Sequence, residues 1–170
     1  MAEKERDARP LWRRFLVPKF TMAYMVRLLI VAVAAVLVFT FVCRPYIIDG
    51  SSMKPTYPDS GFMLSNEMVF WFRDPKIGEV VIARANKDTS YLKRVVGTAG
   101  DRIQWRAGVL YRNGEPVSEP YVNYPCDWNT EEIVVQPGHT YVVGDNRSMP
   151  QSAHRHGQVI NRRITGVPLW

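Results

Sequence analysis

Residues 28–43 read LLIVAVAAVLVFTFVC without a charge, and residues 22–26 extend the run backwards past Arg27 to 22 residues in all. A bilayer core takes about 20 apolar helical residues, and Arg27, near the end of the run, can snorkel to the headgroups. An apolar run this long is rare as a buried helix of a soluble domain. A cleavable secretory signal would need a small-x-small site after it, but Arg44-Pro45-Tyr46-Ile47 follows. The run therefore predicts an uncleaved, single-pass membrane anchor over 25–43.

Charge sets the expected topology. The chain carries 22 Lys+Arg against 16 Asp+Glu, a net +6 that raises nucleic acid or an anionic membrane as a partner. Residues 1–27 hold seven of the cations and three of the acids, or +4, which leaves 15 minus 13, or +2, for all the rest. A nucleic-acid binder needs its basic stripe spread over a folded surface, so nucleic acid is not an expected partner. With only Arg44 close behind the apolar run, the positive-inside rule puts residues 1–24 in the cytoplasm and 44–170 on the exported side of the cell membrane.

The exported part reads as β. Short β-branched or aromatic runs at 79–83, 91–96, 102–105, 109–111, 132–135 and 140–143 are separated by turn signals such as Asp59-Ser60-Gly61, Asn113-Gly114 and Pro137-Gly138. Residues 110–117 form a hairpin pattern around Asn113-Gly114. Many short strands with few helical stretches predict an all-β domain, an antiparallel and partly open barrel or sandwich, behind one transmembrane helix.

Three segments hold residues suited to chemistry. Asp49-Gly50-Ser51-Ser52-Met53-Lys54-Pro55-Thr56 is a small-residue turn that presents hydroxyls, although such turns are also common without any chemistry. In Tyr91-Leu92-Lys93-Arg94-Val95-Val96-Gly97 a lysine sits inside an apolar strand, and alternation places Tyr91, Lys93 and Val95 on one face. Such an environment penalises the ammonium, and a neutral lysine is a general base for a serine hydroxyl. The competing reading is a snorkelling lysine on an edge strand. In Gly144-Asp145-Asn146-Arg147-Ser148 the residue types suggest an Asp145–Arg147 ion pair and an Asn146 bond to loop backbone, both structural.

Taken together, Gly50 to Thr56, Lys76-Ile77-Gly78-Glu79-Val80-Val81, Tyr91 to Asp101 and Gly144 to Arg147 resemble, in order, the motifs of the type I signal peptidases. These are membrane-anchored Ser-Lys endopeptidases that remove signal peptides from exported preproteins. The resemblance implies Ser52 as nucleophile, Lys93 as general base and the Ser52 backbone N–H as an oxyanion donor. It also implies that Ile48, Gly50, Met53, Tyr57, Tyr91 and Leu92 bind substrate with small residues before the cut, as in Ala-x-Ala. Asp145, Asn146, Arg147 and Ser148 would support the site. No cofactor and no metal is implied.

The chain departs from the family pattern at Gly50, where some members carry a second oxyanion hydroxyl, and at Ala99, a frequent proline. At Pro150 the family commonly has a serine that helps hold the lysine amine, with Ser148 and Ser152 as the nearby substitutes. His139, His154 and His156 are expected to be surface or loop histidines, since neither zinc spacing nor a Ser-His-Asp arrangement accompanies them. Cys43 and Cys126 are not expected to pair.

Ser52 lies nine residues beyond Cys43, so even a fully extended chain keeps it within about 30 Å of the end of the apolar run. The aromatic run Met68-Val69-Phe70-Trp71-Phe72 suits either lipid at the membrane interface or the core. Two other functions fit the same residues: a membrane-tethered β-domain that binds exported segments without cutting them, and a processing protease with a narrow substrate set.

Overall fold

The computed structural model describes residues 20–86, 89–154 and 156–169. The chain divides into two compact units, Met1–Thr40 and Phe41–Trp170. In the first, helix α1 spans Met22–Leu37 and is capped by Thr21, whose hydroxyl accepts from the Tyr24 N–H at 3.3 Å. The helix buries no residue, and the 19 residues Met22–Thr40 are long and apolar enough to cross a membrane. A wider π-helical turn, Val38–Val42, follows it.

The second unit is antiparallel β-structure. Its strands are β1 (Cys43–Asp49), β2 (Ser60–Asn66), β3 (Val80–Arg84), β4 (Ser90–Thr98), β5 (Arg102–Arg106), β6 (Val109–Arg112), β7 (Glu115–Pro116), β8 (Ile133–Val134), β9 (His139–Val143), β10 (Gly157–Ile160) and β11 (Ile164–Pro168), with a one-turn helix α2 (Val69–Phe72) after β2. Seven strands form one sheet in the order β1-β2-β11-β3-β4-β9-β10, and four form a second in the order β7-β6-β5-β8. The six runs that alternation predicts all become strands. The β6–β7 hairpin turns at Asn113 and Gly114, both left-handed at φ 56° and 87°, as a two-residue hairpin demands.

Alternation along β4 and β9 builds the two cores. Val96, Tyr141 and Val143 join Ile103, Trp105, Leu110, Trp128 and Val135 in a cluster that includes residues of the second sheet. Val95 and Val142, on the opposite faces, join Val81, Ala83, Val159 and Ile164 in another. Gly97 lets the first cluster close, because a Cβ there would lie 2.7 Å from Ile103 Cδ1. Strand β4 lies between β3 and β9; its Lys93 is 2% exposed, which excludes a snorkelling side chain, and faces the same way as Val95.

Candidate active site

The site begins with a turn that only its own sequence permits. Gly50 has φ 126°, outside the range of ordinary side chains, and its N–H donates to Asp59 O at 2.9 Å. The chain then coils tightly, with the Lys54 N–H donating to Ser51 O at 3.1 Å and the Tyr57 N–H to Met53 O at 3.0 Å. Met53 is thereby buried, and Ser52 is left partly exposed at a cleft of about 540 Å³.

Strand edges form the cleft. Pro45 to Gly50 line one part of it and Thr89 to Leu92 another, with Met53, Met63 and Ile82 as apolar lining. Among the described residues, strand β1 pairs only with β2. Residues 90–93 pair with β3, whereas the pairing of β4 with β9 starts at Arg94. Among the described residues, both stretches therefore keep one edge without a strand partner, each bordering the cleft.

Behind Ser52 lies the loop that leaves β9. The Asn146 N–H donates to Ser52 O at 3.0 Å, and Asn146 Nδ2 donates to Ser51 O at 3.1 Å. Arg94, the residue after Lys93, pairs through register with Val143 and donates from Nε and Nη2 to the two oxygens of Asp145 at 2.8 and 2.6 Å. The Thr56 hydroxyl donates to the same carboxylate. This one loop thus ties the serine turn to the lysine strand.

The model of the family described as "Signal peptidase, peptidase S26" matches residues 21–168. Signal peptidase IB of Staphylococcus aureus is 31% identical over 157 residues, covering 80% of this chain and 82% of the relative. Signal peptidase I of Bacillus caldolyticus is 31% identical over 140 residues, covering 74% and 77%. The chain belongs to the signal peptidase family, peptidase S26. A crystal structure of a signal peptidase I from Enterococcus faecalis V583 aligns with a TM-score of 0.45 at 24% identity, over 56% of this chain and 97% of that one. The peptidase is accordingly a membrane-anchored serine endopeptidase, and signal-peptide removal is the activity that its family carries.

In this peptidase Ile48, Gly50, Ser52, Met53, Tyr91 and Leu92 all line the cleft. Tyr57 does not: the turn at Met53 sends it toward Arg94 and Asp145, and burial, opposed by Arg94, raises its phenol pKa. Asp145 and Arg147 do not pair with each other, contrary to the expectation from their spacing. Asp145 is fully buried against Arg94, while Arg147 donates to both oxygens of Glu119 at 3.0 and 2.6 Å. Each charge finds a partner distant in sequence instead. Ser148 is exposed, and its hydroxyl donates to Asn146 Oδ1 at 2.7 Å; Ser152 is exposed too.

His154 is a second correction. It is 5% exposed, its ring edge-on to Trp128 with centroids 5.0 Å apart. Burial is the main cause that pushes its pKa down to about 4. His156 is half-buried and stacked on Trp128 at 5.2 Å, and burial lowers its pKa as well. Both cysteines are free and half-buried. Phe70 packs against the core, whereas Trp71 and Phe72 are exposed.

Gly144 marks how closely these parts approach. A Cβ there would lie 2.3 Å from Ser52 O and 2.9 Å from His154 Cε1, so Gly144→Ala must displace the serine turn or the histidine. A displacement near 1 Å costs about 10²-fold in rate. The variant is expected to keep its circular-dichroism spectrum and lose about that much kcat.

Proposed function

We propose that the protein removes signal peptides by a Ser-Lys mechanism in which Ser52 is the nucleophile and Lys93 the general base. The observation that carries this reading is that Ser52 borders the cleft together with Tyr91 and Leu92, the residues just before a lysine that is 2% exposed. Burial penalises the ammonium and favours the neutral amine that a base requires. Neutral Lys93 takes the Ser52 proton as Oγ attacks the scissile carbonyl, and the Ser52 N–H donates to the developing oxyanion. Lys93 then passes that proton to the leaving amine, giving an acyl-enzyme. It next takes a proton from water, whose oxygen attacks the ester, and returns this proton to Ser52.

The substrate lies extended between β1 and residues 90–93, adding its backbone to their open edges. Ile48, Met53, Tyr91 and Leu92 offer apolar contacts to small side chains before the cut. Asp145, Asn146, Arg147 and Ser148 hold the loop behind the serine, while Tyr57 packs beside the Arg94–Asp145 pair. Residues 1–24 form a cytoplasmic segment, 25–43 the anchor and 44–170 the exported peptidase domain, an orientation supported by the +4 carried by residues 1–27. Trp71 and Phe72, exposed on the domain, suit contact with lipid.

Incubating the detergent-solubilised protein with a preprotein that carries an Ala-x-Ala site tests the reading. The wild type is expected to release the signal peptide after the second alanine, as read by mass spectrometry, and Ser52→Ala is expected to release none. Cleavage that persists in Ser52→Ala would remove the nucleophile assignment. Binding without cleavage by the wild type would favour the tethered binding domain.

A further inference from the structure

His154 is a buried side chain to which the Ser-Lys chemistry gives no role. The loop after β9 returns through one 3-10 turn, Gln151–Ala153, closed by the His154 N–H donating to Pro150 O at 3.0 Å. This lays the imidazole against Gly144, where an added Cβ would lie 3.0 Å from His154 Nε2 and 2.3 Å from Ser52 O. Nε2 sits 2.9 Å from the backbone oxygen of Asn146. A carbonyl only accepts, so Nε2 carries the hydrogen and Nδ1 the lone pair. Nδ1 is buried and makes no hydrogen bond among the described residues.

The bond to Asn146 leads directly to the nucleophile. Asn146 donates from its N–H to Ser52 O at 3.0 Å and from Nδ2 to Ser51 O at 3.1 Å. Its backbone oxygen and both of its donors are thus committed, the oxygen to His154 and the donors to the two serines. We propose that His154, as its neutral Nε2–H tautomer, is the positioning residue of the nucleophile turn, fixing Asn146 and through it the backbone of Ser51 and Ser52. The proposal rests on the assignment of Ser52 as nucleophile. Acid breaks the arrangement, because a proton on Nδ1 would be an N–H without an acceptor. It would also add a cation to a site that faces Lys93 on β4, Arg147 in the same loop and His156 just before β10.

Two variants of the full-length, detergent-solubilised protein test this on the Ala-x-Ala preprotein. His154→Leu removes the donor and is expected to lower kcat about 10²-fold with KM changed by less than about twofold, the mark of lost orientation. In His154→Gln the amide N–H reaches the same carbonyl and does not titrate, so kcat is expected to recover to within about threefold of wild type. The melting midpoint of His154→Gln should also fall less than that of the wild type between about pH 7 and pH 4. Wild-type kcat in His154→Leu, no recovery in His154→Gln, or equal acid sensitivity of His154→Gln and wild type would each overturn the proposal. Ser52→Ala in the same assay keeps the two levels apart: if it still cleaves, the nucleophile assignment fails, whereas an inactive Ser52→Ala beside a fully active His154→Leu removes only the positioning role.

Discussion

Replacing Lys93 by methionine is expected to lower preprotein cleavage about 10⁴-fold. The rate loss follows if Lys93 is the only group that takes the Ser52 proton, and losses of that order accompany removal of one member of such a catalytic unit. Because serine and base act together, Ser52→Ala in the Lys93→Met background should add almost nothing. Lys93→Arg is expected to be inactive as well, since a guanidinium does not release its proton near neutral pH. Cleavage within tenfold of wild type in Lys93→Met would exclude the lysine as base.

The largest expected loss of stability falls at Asp145. Its carboxylate is fully buried and receives two bonds from Arg94, whose side chain is 12% exposed, and a third from Thr56. The guanidinium also lies 4.0 Å from the centre of the Tyr121 ring, so water cannot readily take over from the carboxylate. Asp145→Ala therefore leaves an uncompensated buried cation, which costs about 3–5 kcal/mol. Urea unfolding of Asp145→Ala reads this directly, and Arg94→Met combined with Asp145→Leu should recover much of the loss. A change below about 1 kcal/mol would mean that the pair behaves like an exposed one.

The two outcomes differ in how far the sequence foretells them. Lys93 announces itself because strand alternation and β-branched neighbours are local, and the same signal marks β3, β4, β5, β6, β8 and β9. Strands β1 and β2 give no such signal. Arg44 and Pro45 interrupt the first, and the second reads Ser-Gly-Phe-Met-Leu-Ser-Asn, so pairing over seven positions, from Cys43 with Asn66 to Asp49 with Ser60, decides both. The ion pairs were legible only as charges: Arg94 meets Asp145 51 residues away and Arg147 meets Glu119 28 residues away. The burial of His154 is equally non-local, since it depends on Trp128 coming across from another part of the domain.

The flanking sheet partners of β4 give the proposed dyad unequal mechanical support. Lys93 is paired with Val81 of β3 and sits one residue before the β4–β9 ladder begins, so it leaves its place only when that sheet comes apart. Ser52 rides on a short coil pinned from behind by Asn146. Partial opening of that coil can withdraw the nucleophile while the rest of the domain stays folded, which makes the serine side the place where the enzyme is silenced before it is denatured.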